Sequence, residues 1–273
     1  MPERVTVDIA GGVADVRLNR PDKRNALDLG MFDGLLRVGD DLKQQPGLRA
    51  VVLSGEGPDF CAGLDFRIFE AMRDDHGWAG AIALPPGQGP AQAAGQRAAH
   101  IWTELAVPVI AAISGHALGG GLQIALGADI RFVAPDAKLS VREIKWGLVP
   151  DMTGTQMLPE LVGRDVAKEL TFSGRVLSGT EAFELGLATR VCTDPRTSAL
   201  ELARSIANQN PDAIAAAKHL LDLAGRVDLE TGFAAEQVAI GALVGSVNQI
   251  EAVNAAFEAR RPRFADRKAH NSR

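Results

Sequence analysis

The sequence predicts an α/β fold with a helical C-terminal region, on three observations. Short, continuously apolar runs alternate with amphipathic segments through the first two thirds of the chain, as in sheets with helical crossover connections. From about residue 196 onwards, alanine-rich helical segments follow one another directly. The length of 273 residues suits one sizeable domain with a helical appendage. We therefore expect a core over residues 1–195 and a helical region over residues 196–273.

The chain begins with a predicted β-hairpin, because residues 4–10 and 13–20 alternate with period two around a Gly-Gly turn. An amphipathic helix is predicted from Leu29 to about Gln44, with Asp28 as its N-cap. These assignments place the first helical crossover directly after the hairpin.

The central part of the chain contains short apolar runs bounded by turn residues, which are typical of buried strands. They lie at 48–55, 108–115 and 129–135. Segments with helical period are found at 90–105, 120–127 and 155–161, and four helices separated by proline or glycine follow between residue 196 and Arg260. The C-terminal helices are typical of packing and subunit contact.

Composition excludes several classes of function. The formal net charge of −5 gives no electrostatic reason to expect nucleic acid. No apolar stretch approaches the ~18 residues that a membrane span needs. The two cysteines, Cys61 and Cys192, have neither metal-ligand spacing nor a disulfide framework, and the histidines are scattered. We therefore expect a soluble, cytoplasmic protein with no metal, no membrane and no nucleic-acid partner.

Two strand-to-helix turns are candidates for anion or carbonyl binding. In "ISGHALGGGLQIALGADI" (113–130) three glycines stand between an apolar strand and an apolar helix, and "GPDFCAGLDF" (57–66) forms a similar turn. The first N–H groups of a helix have no intrahelical partner, so they can bind an oxygen that becomes negative during a reaction. The glycines are expected to let a ligand reach this backbone; tight helix–strand packing is the alternative reason for them. Neither a phosphate loop nor a dinucleotide-binding spacing is present.

These turns belong to a set of segments that resemble, in order and over nearly the whole chain, the crotonase (enoyl-CoA hydratase/isomerase) superfamily. The segments are "LNRPDKRNALD" (18–28), "GPDFCAGLDF" (57–66), "PVIAAISGHALGGGLQIALGADIRFVAPDAKLSV" (108–141), "EIKWGLVPDMTGTQMLPELVG" (143–163), "SGTEAFELGLATRV" (178–191) and "EARRPRF" (258–264). The resemblance implies a crotonase-like ββα spiral core and a C-terminal helical trimerisation region. It also implies an acyl-CoA thioester substrate, with coenzyme A as part of the substrate and no separate cofactor, and a homotrimer or a hexamer built as a dimer of trimers.

Carried over position by position, the resemblance makes the backbone N–H groups of Leu64 and Gly120 an oxyanion hole for the thioester oxygen. Further positions correspond to those that contact coenzyme A in the family, although the arginines among them could equally be solvated surface residues. These positions are Arg24, Ala62, Asp65 and Arg67, and Gln123 is also assigned to substrate binding.

The acidic residues distinguish the possible reactions. Hydratases of the family use two glutamates, and this chain carries Gln123 at the first position and Glu143 at the second. Because an amide cannot transfer a proton, two-acid hydration is disfavoured. One glutamate suffices for double-bond isomerisation, in which it removes a proton at one carbon and returns it at another. Asp151, eight residues later, resembles part of the dienoyl-CoA isomerase arrangement, or it could cap the helix near 153–161.

We therefore expect enoyl- or dienoyl-CoA isomerisation, with Glu143 as proton carrier assisted by Asp151. A hydratase that uses water held by Gln123 and Glu143 is the alternative, and a catalytically weak acyl-CoA-binding protein is another. A nucleophilic role is not expected for His116 or for Cys61, because no nucleophile elbow or partner spacing accompanies them.

Three aromatic residues could line an acyl pocket or could simply pack. They are Phe66, Phe69 and Trp78.

Overall fold

The structure, a computed structural model, describes residues 3–73 and 89–267, so Trp78 lies outside the described residues. The strands are β1 (Val5–Ala10), β2 (Val13–Leu18), β3 (Ala50–Gly55), β4 (Val109–Ile113), β5 (His116–Leu118), β6 (Ile130–Val133), β7 (Lys138–Ser140), β8 (Leu177–Ser178) and β9 (Arg190–Val191). One sheet has the order β1-β2-β3-β4-β6-β9, with β1 and β2 antiparallel and the remaining neighbours parallel. A smaller sheet has the order β5-β7-β8.

The helices occupy the crossovers and the C-terminal third. They are α1 (Leu29–Lys43), α2 (Phe66–Arg73), α3 (Ala94–His100), α4 (Gly120–Leu126), α5 (Gly154–Val162), α6 (Arg164–Ser173), α7 (Gly179–Glu184), α8 (Pro195–Ala207), α9 (Pro211–Leu223), α10 (Leu229–Leu243) and α11 (Val247–Phe257). None of the described helices combines the length and the apolar character that crossing a membrane requires.

Local sequence signals explain the first elements. The hairpin pairs Ala10 with Val13 across the predicted turn. The side chain of Asp28 accepts a hydrogen bond from the N–H of Met31 at 2.9 Å, as expected of an N-cap, and α1 then turns its apolar stripe inward. The predicted hairpin and first helix are thereby confirmed.

The large sheet is covered on both faces, as parallel strands require. One face packs against α1, α3 and α4 around the fully buried Phe32 and Trp102. The other face packs against α8, whose Ala199 and Ala203 are fully buried against Val52 and its neighbours. Because α8 is a layer of this core, the helical region predicted from residue 196 begins with a helix that packs on the sheet, and the division at residues 195 and 196 stays a prediction.

The small sheet was not predicted from periodicity. Its strands are two or three residues long, too short to show an alternation. It places β5 directly before α4 and places β7 directly before a short 3-10 turn, Glu143–Trp146. This sheet therefore brings the glycine-rich turn and Glu143 to the same edge of the molecule.

Candidate active site

The two strand-to-helix turns are joined by backbone hydrogen bonds. The N–H of Cys61 donates to the carbonyl of His116 at 2.7 Å, and the N–H of Leu118 donates to the carbonyl of Cys61 at 3.0 Å. A Cβ built on Gly63 would lie only 3.8 Å from the backbone nitrogen of Gly120. The turns therefore form one unit, although they come from distant parts of the chain.

Two N–H groups in this unit are available for a ligand. Leu64 and Gly120 both line a cavity of about 680 Å³. Among the backbone hydrogen bonds of the described residues outside regular elements, neither residue serves as a donor, and Gly120 is the first residue of α4, whose N–H has no intrahelical partner. The predicted donor pair is thus brought to one cavity, and its role in binding an oxyanion stays a prediction.

The glycines of the 113–130 turn are needed for contacts within the protein. A Cβ on Gly121 would overlap the carbonyl oxygen of Cys61, and a Cβ on Gly120 would lie 2.9 Å from Leu27 and 3.0 Å from Met152. The packing alternative named for these glycines therefore holds at both positions. Ligand access explains at most part of the motif.

Glu143 lies at the same cavity as Leu64 and Gly120. Its side chain lines the same cavity and is 8% exposed, and its carboxyl oxygens would be 3.3 and 3.8 Å from a Cβ on Gly119. Burial, together with the nearby charge of Asp151, raises the pKa of Glu143 above its ordinary value, although the hydrogen bond from Gln123 opposes this. A carboxyl group of raised pKa next to free backbone donors suits proton transfer at a carbon beside a carbonyl.

Gln123 is the nearest polar partner of Glu143. Its amide nitrogen donates to Oε1 of Glu143 at 2.6 Å, and its amide oxygen accepts from the N–H groups of Met152 and Gly154, each at 2.9 Å. Gln123 is 2% exposed and is not among the described residues that line the cavity. The structure thus separates it from the substrate-binding set in which it was predicted and places it behind the acid.

Asp151 is near Glu143 but outside the cavity lining described for the site. It is exposed at the surface, yet the atoms packed around it desolvate its carboxyl group enough to raise its pKa. The alternative that it caps the following helix is wrong, because Thr153 holds the N-cap position of α5 and no side chain caps that helix. The structure therefore gives Asp151 an electrostatic influence on Glu143 and leaves it out of the described cavity lining.

The residues predicted to bind coenzyme A are brought together. Arg24, Ala62, Asp65 and Arg67 all line the cavity that holds Leu64 and Gly120.

Asp65 has a further function in the fold. Its carboxylate accepts from the N–H of Arg67 at 2.9 Å and forms an ion pair with buried Arg20 at 2.5 Å. Burial opposes ionisation, but these two partners outweigh it and hold the pKa of Asp65 below its ordinary value. Because its oxygens are already engaged, Asp65 contributes to the site mainly by fixing the start of α2.

Of the aromatic residues at the cavity, Phe66 and Phe69 were expected from the sequence to line an acyl pocket or to pack, whereas Trp146 was not singled out. Trp146 stacks on Phe69 with ring centroids 4.4 Å apart and meets the edge of Phe66 at 5.7 Å. All three side chains line the cavity. Trp146 follows Glu143 by three residues, a spacing that puts both on one side of a 3-10 turn and could have indicated their proximity. This contact connects the turn that carries the acid to the helix that follows the Leu64 turn.

The rejected nucleophiles are explained by their surroundings. Burial raises the pKa of the Cys61 thiol to about 12, so it stays protonated. The ring nitrogen Nδ1 of His116 lies 2.6 Å from Oδ1 of Asp59, so the side-chain partner of this histidine is a carboxylate. Within residues 3–73 and 89–267, no group of three or more His, Cys, Asp or Glu side chains is arranged to hold a metal ion.

Comparison with known proteins agrees with this arrangement. The sequence profile of the family described as enoyl-CoA hydratase/isomerase matches residues 8–267. The chain belongs to the enoyl-CoA hydratase/isomerase, or crotonase, family. Among members of this family, it is 35% identical over 260 residues to mitochondrial methylglutaconyl-CoA hydratase of Mus musculus. The alignment covers 93% of this chain and 79% of that protein.

Two further members of the family illustrate its range. The chain is 32% identical over 269 residues to enoyl-CoA isomerase/hydratase fer4 of Mycosarcoma maydis, with 93% of this chain and 92% of that protein covered. A crystal structure of enoyl-CoA hydratase from Bacillus anthracis superposes with a TM-score of 0.87 at 32% identity, covering 96% of this chain and 98% of that one. The crotonase fold predicted from the sequence is thereby confirmed, and so is the assignment as an enzyme of this family.

Proposed function

We propose that this member of the enoyl-CoA hydratase/isomerase family is an enoyl-CoA double-bond isomerase that works with a single acid, Glu143. The observation that carries the proposal is the engagement of Gln123, whose amide is bonded at both ends and supplies no second acid. Hydration by two acids needs a second buried proton carrier close to the first. Of the other acids that line the cavity among the described residues, Asp22 and Glu70 are exposed and Asp65 is paired with Arg20.

The reaction follows from the positions of the groups. The carboxylate of Glu143 takes a proton from C2 of a 3-enoyl thioester, and the electron pair moves into an enolate whose negative oxygen is bound by the N–H groups of Leu64 and Gly120. The enolate then collapses as the double bond forms between C2 and C3, and Glu143 returns the proton to C4. Each well-placed N–H donor contributes on the order of 3 kcal/mol to the transition state. No cofactor is needed, because coenzyme A arrives with the substrate.

Hydration is a second candidate, favoured by the similarity to relatives that are named hydratases, such as methylglutaconyl-CoA hydratase. In this reaction Glu143 would activate a water molecule, and Gln123 would supply only its remaining N–H. Since Gln123 is almost completely buried, we rank hydration below isomerisation.

A panel of thioesters decides between the two. We expect purified enzyme to convert a 3-enoyl-CoA to its 2-enoyl isomer, and to convert a 2-enoyl-CoA to its 3-hydroxy product at least ten-fold more slowly, both followed by chromatography. A 3,5-dienoyl-CoA tests whether Asp151 extends the shuttle. The reverse ranking of the first two rates would replace isomerisation by hydration. Binding with no exchange of the C2 proton into deuterated water would leave only an acyl-CoA-binding protein.

We also propose self-association through the C-terminal helices into a trimer or hexamer. The helices α10 and α11 expose large apolar side chains, including Phe233, Ile240 and Phe257, and such patches on a soluble chain mark contact surfaces. Sedimentation equilibrium would measure the assembly, and a monomer at micromolar concentration would contradict it.

A further inference from the structure

The orientation of the Gln123 amide is fixed by its surroundings. Its oxygen faces two backbone N–H donors, from Met152 and Gly154, and a –NH2 group could not replace an oxygen there because donors would face donors. The amide nitrogen must therefore point at Glu143, at 2.6 Å from Oε1. A built Cβ on Gly154 would lie 2.7 Å from the Gln123 oxygen, so this turn is closed tightly on the amide.

This orientation makes the two oxygens of Glu143 unequal. Oε1 accepts a hydrogen bond from the Gln123 amide. A proton on Oε1 would point at the hydrogen of that amide and would break the bond. Oε2 is buried and has no hydrogen-bond partner among the described residues. A buried oxygen without a partner is costly unless it serves a purpose. The proton that Glu143 carries therefore belongs on Oε2.

We propose that Gln123 is a positioning residue that holds Glu143 in one orientation and confines its transferable proton to Oε2. The inference rests on the proposed function only in taking Glu143 as the proton carrier, and it applies to isomerisation and hydration alike. Gln123 acts through Glu143 and does not contact the reacting atoms. Its hydrogen bonds connect Glu143 to the backbone of the turn that begins α5.

The charges around Glu143 give this role a measurable consequence. The hydrogen bond from Gln123 favours the carboxylate, whereas burial and the carboxylate of Asp151 favour the protonated form. Arg142, the neighbour in sequence, directs its guanidinium to the carbonyl of Gly174 at 3.2 Å. Removing the Gln123 donor should therefore move the acid limb of kcat/KM to higher pH.

Gln123→Glu is the sharpest variant. A carboxylate at this position still accepts from Met152 and Gly154, but it removes the donor and adds a like charge beside Glu143. We expect the acid limb to rise by about one pH unit or more, while KM changes less than two-fold. Gln156→Glu is the matched control: Gln156 is exposed on α5 and its side chain donates to the hydroxyl of Thr155, so the acid limb should stay in place.

A second measurement does not depend on turnover. In Gln123→Met, titration of the Glu143 carboxyl by infrared difference spectroscopy, with the Glu143→Gln protein as reference, should also show a higher pKa than in the wild-type chain. An unshifted limb in Gln123→Glu, or an unshifted carboxyl titration in Gln123→Met, would overturn the inference. So would a uniform loss of kcat at all pH values, because that result indicates structural support alone. Failure of the proposed function is separate, since it appears as a wild-type enzyme that forms no isomerised product.

Discussion

The structure contains two cavities of the same size, about 680 Å³ each, and they differ in how their polar groups are satisfied. The cavity that holds Glu143 contains backbone donors and a carboxyl oxygen that have no partner in the part of the chain that the structure describes. In the second cavity, between the core and α9, Lys218 pairs with Asp129 at 2.8 Å and Arg226 pairs with Glu160 at 3.1 Å. Volume therefore does not distinguish the two cavities, whereas the unpartnered groups that line the first one do.

The largest expected effect is that of Glu143→Gln, which removes the buried acid of the first cavity. Loss of the only proposed proton carrier should lower kcat by about 10²–10⁴-fold, measured with the best thioester of the panel. Binding of acyl-CoA, measured by calorimetry, should change little because the backbone donors remain. Retention of full activity would remove Glu143 from the mechanism.

The same variant has a pH signature in stability. The raised pKa of Glu143 means that its contribution to folding is present below the ordinary value of 4.5 and is lost as pH rises through the raised value. As pH rises through this window, the free energy of unfolding of Glu143→Gln should therefore increase relative to that of the wild-type chain. Denaturant titrations at pH 4 and pH 8 would measure the gain.

An intermediate effect is expected from Lys218→Met in the second cavity. Lys218 is 9% exposed and also donates to the carbonyl of Val107 at 3.1 Å, so its removal takes away both this bond and the ion pair with Asp129. We expect the free energy of unfolding to fall by about 2–3 kcal/mol, with kcat/KM of the folded enzyme unchanged. The control is Lys168→Met, at an exposed position on α6. A loss of activity without loss of stability would make the second cavity functional.

The smallest effect is expected from a matched pair of surface arginines. Arg67 lines the first cavity, whereas Arg226 lines the second and pairs with Glu160. Arg67→Gln should raise KM for acyl-CoA about five-fold through loss of one phosphate contact of about 1 kcal/mol, with kcat unchanged. Arg226→Gln should leave both parameters unchanged. Equal behaviour of the two variants would contradict a phosphate-binding role for Arg67.

How much of this could be read from the sequence depends on how local each signal is. The hairpin and the Asp28 cap involve neighbours in the chain, and both were predicted. The convergence of Leu64, Gly120 and Glu143 came from the family resemblance, because no periodicity relates such distant positions.

The rest depends on tertiary contacts. The amide of Gln123 is held by backbone groups 29 and 31 residues away, so its role behind Glu143 could not be predicted from spacing. The small sheet was missed because its strands are too short for a pattern. The packing role of Gly121 likewise depends on a carbonyl from the other turn. Cytoplasmic location and the absence of a cofactor stay predictions.

The backbone bonds between Cys61 and the strand ending at Leu118 have a consequence for how the enzyme becomes active. Neither turn can take its final shape until strands from separate parts of the chain have docked side by side. The candidate pocket therefore depends on contacts between distant parts of the chain, and we expect it to form late in folding. Loss of turnover on heating should coincide with the cooperative unfolding of the sheet, since no smaller unit of the chain can carry the activity by itself.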